Sequence, residues 1–167
     1  MKTITRFNIY LPMTAMILTA AIAVPAAAQQ QVPFRGTFQG SDTVSPEGPC
    51  PTTLCTKGTG TGALLGKFSF TQEATINFAN FTEAGSAQWT AANGDIIYTT
   101  VVGSAIPGDV VFTVTEIHTI TGGTGRFSGA QGSFIVHRTH VVAFSEDGTH
   151  VISGWFEGTI TSPGAAH

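Results

Sequence analysis

Five glycines fall within the eleven residues Gly122-Gly123-Thr124-Gly125-Arg126-Phe127-Ser128-Gly129-Ala130-Gln131-Gly132, between two stretches that alternate like β-strands. Glycine reaches backbone conformations that side chains forbid. A run this dense, with Gly122, Gly123, Gly125, Gly129 and Gly132 at its turning points, reads as a structural corner of fixed shape. It constrains architecture strongly and says little about chemistry.

The flanking sequence is rich in Thr, Val, Ile, Phe and Gly and poor in Leu, Lys and Glu, which favours strands. Short alternating runs lie between turn residues: Phe34–Gly40, Leu64–Phe70, Thr75–Phe81, Ser86–Ala92, Asp95–Val102, Val110–Thr121, residues 131–144 and His150–Thr161. A polar segment at 41–61 reads as a loop. Asn93-Gly94 signals a hairpin, and a two-residue turn there would set Trp89 across from Tyr98. Around Glu146-Asp147-Gly148-Thr149, pairing Phe144 with His150 sets Val142 against Ile152, His140 against Gly154 and Arg138 against Phe156, with the apolar residues on one face. Eight strands in up-and-down order predict an all-β, closed antiparallel barrel, with a sandwich as the alternative. The inner faces are expected to include Phe68, Trp89, Tyr98, Phe134 and Phe156.

Residues 1–28 read as a cleaved signal peptide. Lys2 and Arg6 precede an apolar stretch from Ile9 to Val24, and Ala26-Ala27-Ala28 offers a cleavage site. The predicted product is a single exported domain over 29–167, periplasmic or extracellular. It keeps five Lys/Arg against ten Asp/Glu and has no basic patch, which excludes nucleic acid as a partner. No later segment approaches the roughly 20 apolar residues a membrane helix needs. Cys50 and Cys55 are expected to pair across a short loop under oxidising conditions. Their spacing suits neither a redox motif nor a zinc set, and no cofactor or metal is called for.

The glycine corner resembles the Gly-Gly-[Ser/Thr]-Gly-x-Phe-x-Gly-x-x-Gly corner of plant allene oxide cyclases and is similar to the Gly-Gly-Thr-Gly-Lys-Phe corner of dirigent proteins. Leu65-Gly66-Lys67-Phe68 and Ala91-Ala92-Asn93-Gly94-Asp95 look like motifs of small secreted bacterial relatives with the same barrel. The resemblance spans about residues 60–160. It implies an eight-stranded barrel of calycin type with an apolar central cavity, often in a homo-oligomer. It transfers no activity, because the cavity residues of those families lie outside the matched corner.

The residues that could carry chemistry lie on the sixth and seventh strands. Phe112, Val114, Glu116, His118 and Ile120 share one face; Phe134, Val136, Arg138, His140 and Val142 share another. Turned inward, Glu116, His118, Arg138 and His140 are the catalytic candidates, with Glu116 or a histidine as acid or base and Arg138 binding an anion or oxyanion. Trp89, Tyr98, Phe112 and Phe134 are the candidate ligand contacts. Pairing across the glycine corner places Glu116 nearer Phe134 than Arg138, which counts against a compact constellation. His137 and His140 point to opposite faces and cannot share a metal ion. Three readings stay open: a barrel binding a small apolar molecule such as a dye or fatty acid, an isomerase or cyclase acting on a confined substrate, and a filled structural or oligomerising barrel.

Overall fold

The computed structural model describes residues 30–44, 50, 52–145 and 149–161. The expected signal peptide and the turn at Glu146-Asp147-Gly148 lie outside the described residues. Eight strands form: β1 (Gln31–Val44), β2 (Leu54–Gly62), β3 (Gly66–Asn77), β4 (Thr82–Thr90), β5 (Ile96–Ile106), β6 (Val111–Gly123), β7 (Gly132–Phe144) and β8 (His150–Thr161). Each pairs antiparallel with the next, and β8 returns to β1, which closes the barrel. Closure removes every free sheet edge. No helix among the described residues is long and apolar enough to cross a membrane.

The strand count agrees with expectation, but two of the strands differ. Leu64–Phe70 and Thr75–Phe81 are largely one strand, β3. The missing strand is β2, inside the segment read as a loop, and β1 runs on to Val44. β2 carries no apolar alternation because its inward positions include Gly58, Gly60 and Gly62. A Cβ on Gly58 would lie 2.5 Å from the Phe70 ring, and one on Gly60 would lie 2.6 Å from Phe68. Aromatic rings from the neighbouring strand thus fill the space that β2 leaves empty. The Cys50–Cys55 disulfide joins the start of this strand to the loop before it.

Two register shifts were not legible. The β4–β5 hairpin pairs Trp89 with Ile97 and Gln88 with Tyr98. Its loop holds three residues between Ala91 and Asp95, and Gly94 sits at φ +87°. A loop one residue longer than the two-residue turn moves the register by one and reverses the facing of β5. Trp89 is therefore inside, while Tyr98 is outside and 37% exposed. In the β7–β8 hairpin, Phe144 does pair with His150, but a bulge follows, and His140 meets Ile152, Arg138 meets Gly154 and Val136 meets Phe156. This slip is by two residues, so the inward face is unchanged.

The barrel interior has two halves. At the end closed by the glycine corner, Phe34, Phe38, Phe68, Phe70, Trp89, Phe134 and Phe156 are all buried and pack against one another. Trp89 stacks on Phe70 at 4.9 Å between centroids. Burial of each such ring contributes on the order of 2 kcal/mol. Moving along the strands toward the opposite end, the inward residues change from aromatic to polar: Phe68, Phe70, Gln72 on β3, and Trp89, Ala87, Gly85, Glu83 on β4. The corner itself is a short 3₁₀ turn, Gly125–Phe127, whose Phe127 plugs the filled end.

Candidate functional site

The polar layer begins with a glycine. Glu83 of β4 pairs with Gly103 of β5, and Gly103 pairs with Glu116 of β6. All three positions face inward, and the middle one has no side chain. A Cβ on Gly103 would lie 2.8 Å from Glu116 Cγ and 2.9 Å from Glu83 Oε1. The bare position lets two carboxyl groups from alternate strands close over it.

Arg138 of β7 reaches into this pair. Its Nε lies 3.2 Å from Glu116 Oε2, an ion pair without an aligned hydrogen bond. Its Nη2 donates to both oxygens of Glu83 at 3.3 and 3.4 Å, and its Nη1 donates to Asp42 Oδ2 at 2.9 Å. Glu116 Oε1 accepts from Gln72 Nε2 at 2.6 Å, and His140 Nδ1 lies 2.9 Å from Asp42 Oδ2. Glu116 and Arg138 thus meet diagonally although Glu116 pairs with Val136, and the constellation is compact. Contrary to the pairing expected across the glycine corner, Glu116 is no nearer Phe134 than Arg138: it lies two residues from each in the register, and the side chain of Arg138 spans that distance.

Burial sets the charges. Glu83 is pushed up to about 8, first by burial and then by the neighbouring Glu116, against a smaller pull from Arg138. Burial works the same way on Glu116, but Arg138 leads a set of favourable neighbours that hold it below the usual carboxylate range. Burial also works against the charge on Arg138, and the carboxylates around it keep that charge in place. The two glutamates, one pushed up by burial and the other held down by Arg138 and its other neighbours, form a carboxyl pair with separated acidities.

A cavity of about 380 Å³ opens above this layer. Asp42, Glu83, Arg138, His140 and His150 contribute its polar floor, and its walls come from Leu54, Ile76, Phe81, Phe112, Val114 and Val142 among others. Phe81 holds a positive φ of 54° at the β3–β4 turn and packs edge-on against Phe112. The bulge in β7 frees Val141 O to meet His150 Nδ1 at 3.1 Å. Such irregularities commonly re-aim residues at functional rims.

Comparison of the chain with family models, with characterised proteins and with solved structures finds no match. The chemistry of the site rests on its own residues.

Of the catalytic candidates, Glu116, Arg138 and His140 come together. His118 does not join them: it stacks on Phe134 at 4.8 Å, bonds Thr99 Oγ1 at 3.0 Å, and burial holds it down to about 4, so it is a neutral part of the filled half. Of the candidate ligand contacts, Phe112 lines the cavity. Trp89 and Phe134 lie beneath the floor in the aromatic half, and Tyr98 lies on the outer surface. Arg138 has no nitrogen left to receive an oxyanion. His137 stacks on Trp155 outside the barrel. Among the described residues, no group of three or more His, Cys, Asp or Glu is arranged to hold a metal ion.

Asp42, Gln72, Glu83 and His150 were not anticipated. The parity that puts Trp89 inside also puts Glu83 inside, since β4 runs further than its apolar residues do, and that of Phe68 and Phe70 gives Gln72, which fell in the gap between two expected strands. Asp42 lay in the presumed loop and had no such signal.

The acidity of Glu83 gives a stability test. Unfolded, Glu83 releases its proton near 4.5; folded, it keeps it to about 8, so the folded state binds more protons in that window and stability falls as pH rises. His118 has the opposite slope between about 4 and 6.5, because the unfolded state takes the extra proton there. The two slopes offset up to about 6.5. Unfolding free energy should be flat from pH 4.5 to 6.5 and then fall toward pH 8, on the order of 1 kcal/mol per pH unit. Glu83→Gln should remove the alkaline decline; a decline of the same size in the variant would place its origin elsewhere.

Proposed function

We propose that this protein is an exported barrel of the allene oxide cyclase and dirigent kind that holds a small, mainly apolar molecule in the open half of its interior. The observation that carries the reading is the cavity: apolar walls standing on a buried, ion-paired polar floor, over a half-barrel already packed with aromatic rings. Sites of this form orient an apolar body with a few fixed polar groups. The glycine-corner motif supports the family, and residues 1–28 together with a disulfide that is compatible with export support a periplasmic or extracellular location.

Prodan, a small neutral dye, should bind with a saturable blue shift in its emission. Tryptophan quenching is a poor readout, since Trp89 lies under the floor and Trp155 outside. Ala105→Trp, which places a ring in the cavity from β5, should weaken dye binding at least about tenfold without loss of fold. Absence of dye uptake by the parent protein, or uptake indifferent to Ala105→Trp, would overturn the reading.

One observation favours the isomerase or cyclase alternative. Glu83 reaches the cavity and holds its proton at neutral pH, with ionised Glu116 behind it, as a general acid requires.

A further inference from the structure

The cavity floor narrows what its occupant can be. Three carboxyl groups, those of Asp42, Glu83 and Glu116, surround the single guanidinium of Arg138, and each of its nitrogens already faces one of them. An anionic head group would meet a guanidinium whose three nitrogens are each already ion-paired, and the carboxyl groups that hold it. A carboxylic acid such as a fatty acid, the first expectation from sequence, is therefore the wrong chemistry for this floor.

The floor instead lacks a donor. Asp42 is 1% exposed and lines the cavity. Its Oδ2 holds both Arg138 and His140, while its equally buried Oδ1 has no partner. The hydroxyl of Thr56, its register partner on β2, does not reach it. A buried carboxylate oxygen without a donor is costly, and a ligand that supplies one recovers that cost. Three carboxyl groups share one guanidinium, so the layer favours a second cation. Phe81 and Phe112 are among the wall residues, and an aromatic ring attracts a cation over its face where an aliphatic side chain does not.

We propose that the occupant is an apolar molecule bearing a protonated amine, seated with its ammonium group over Asp42. The proposal rests on the binding reading above and assigns the ligand class of the same cavity. His140 and His150 are the other titratable groups that line it.

The test is competition against bound prodan at pH 8 by three ligands of equal chain length: decylamine, decanol and decanoate. Decylamine should displace the dye at concentrations at least about tenfold below decanoate, with decanol between them. Decanoate binding as well as decylamine would overturn the proposal while leaving the binding reading intact. Failure of prodan itself to bind would remove the binding reading and this proposal with it. Asp42→Asn keeps the shape and removes the charge. It should lose the advantage of decylamine over decanol, read as the ratio of their displacing concentrations so that any change in prodan affinity cancels, and an undiminished advantage would overturn the role of Asp42. Should this variant fail to fold, the parent protein's ranking of the three ligands decides alone.

Discussion

Replacing Arg138 with leucine should destabilise the protein by about 3–5 kcal/mol at neutral pH, a large share of the ~5–15 kcal/mol that holds an ordinary domain folded. The guanidinium is 5% exposed and is the shared partner of Asp42, Glu83 and Glu116. Removing it leaves three carboxyl groups in a layer closed to water on the aromatic side. A buried pair is seldom worth much against a well-packed apolar replacement, but breaking one by deleting a single partner leaves the other charge uncompensated. The pH dependence separates this mechanism from a simple packing defect. In the parent protein Glu116 is held below its ordinary acidity, so its contribution is present above about 4.5 and is lost as pH falls further. In Arg138→Leu, burial, the largest influence on Glu116, is opposed only by the lesser pulls of His118, Gln72 and Glu83 and raises it, so the folded state takes up protons and stability recovers as pH falls toward 5. Chemical denaturation at pH 5 and pH 7.5 reads this directly. A variant equally weak at both would show that the lost packing of the arginine stem, and not the stranded carboxylates, is the cause.

The sequence disclosed the barrel through parity and punctuation, and it obscured the site for reasons visible at particular residues. Inward alternation on β6 and β7 was readable because Phe, Val and Ile mark it, and Glu116, Arg138 and His140 were found as polar intrusions in that pattern. β2 was invisible because its interior positions are glycines that yield space to Phe68 and Phe70. Asp42 and Glu83 were invisible because the strands that carry them extend beyond their apolar stretches into the polar layer, where alternation in hydropathy no longer exists. The compactness of the cluster depends on a side chain reaching diagonally and on Gly103 standing bare between two acids. Neither is a property of strand order. The Trp89–Tyr98 pairing failed on a single loop residue, the smallest change that can turn a strand inside out.

Replacing Gly125 with valine should cost about 3–4 kcal/mol, through two causes that can be measured apart. The first is conformational. Gly125 sits at φ +52°, a region that a β-branched residue enters only at a penalty of about 1–2 kcal/mol. The second is steric and electrostatic. A Cβ there would collide with the carboxylate of Asp95. That carboxylate accepts from the Arg126 backbone N–H at 3.1 Å and from Asn93 Nδ2 at 2.7 Å, and these bonds hold it below its usual range. Arg126 in turn donates from Nη2 to Leu64 O at 2.6 Å, so one side chain ties the corner to the β4–β5 hairpin and the other ties it to the β2–β3 turn. Pushing Asp95 aside releases both hairpins from the plug formed by Phe127. Gly94→Ala supplies the comparison: its φ is +87°, but nothing stands within 4 Å of a Cβ at that position, so it should cost only the conformational part, about 1 kcal/mol. Equal losses at Gly94 and Gly125 in denaturant unfolding would show that the corner is only a strained turn. A loss at Gly125 several times larger, and reduced when Asp95 is also replaced by alanine, identifies the docking of the corner on Asp95 as what closes this end of the barrel.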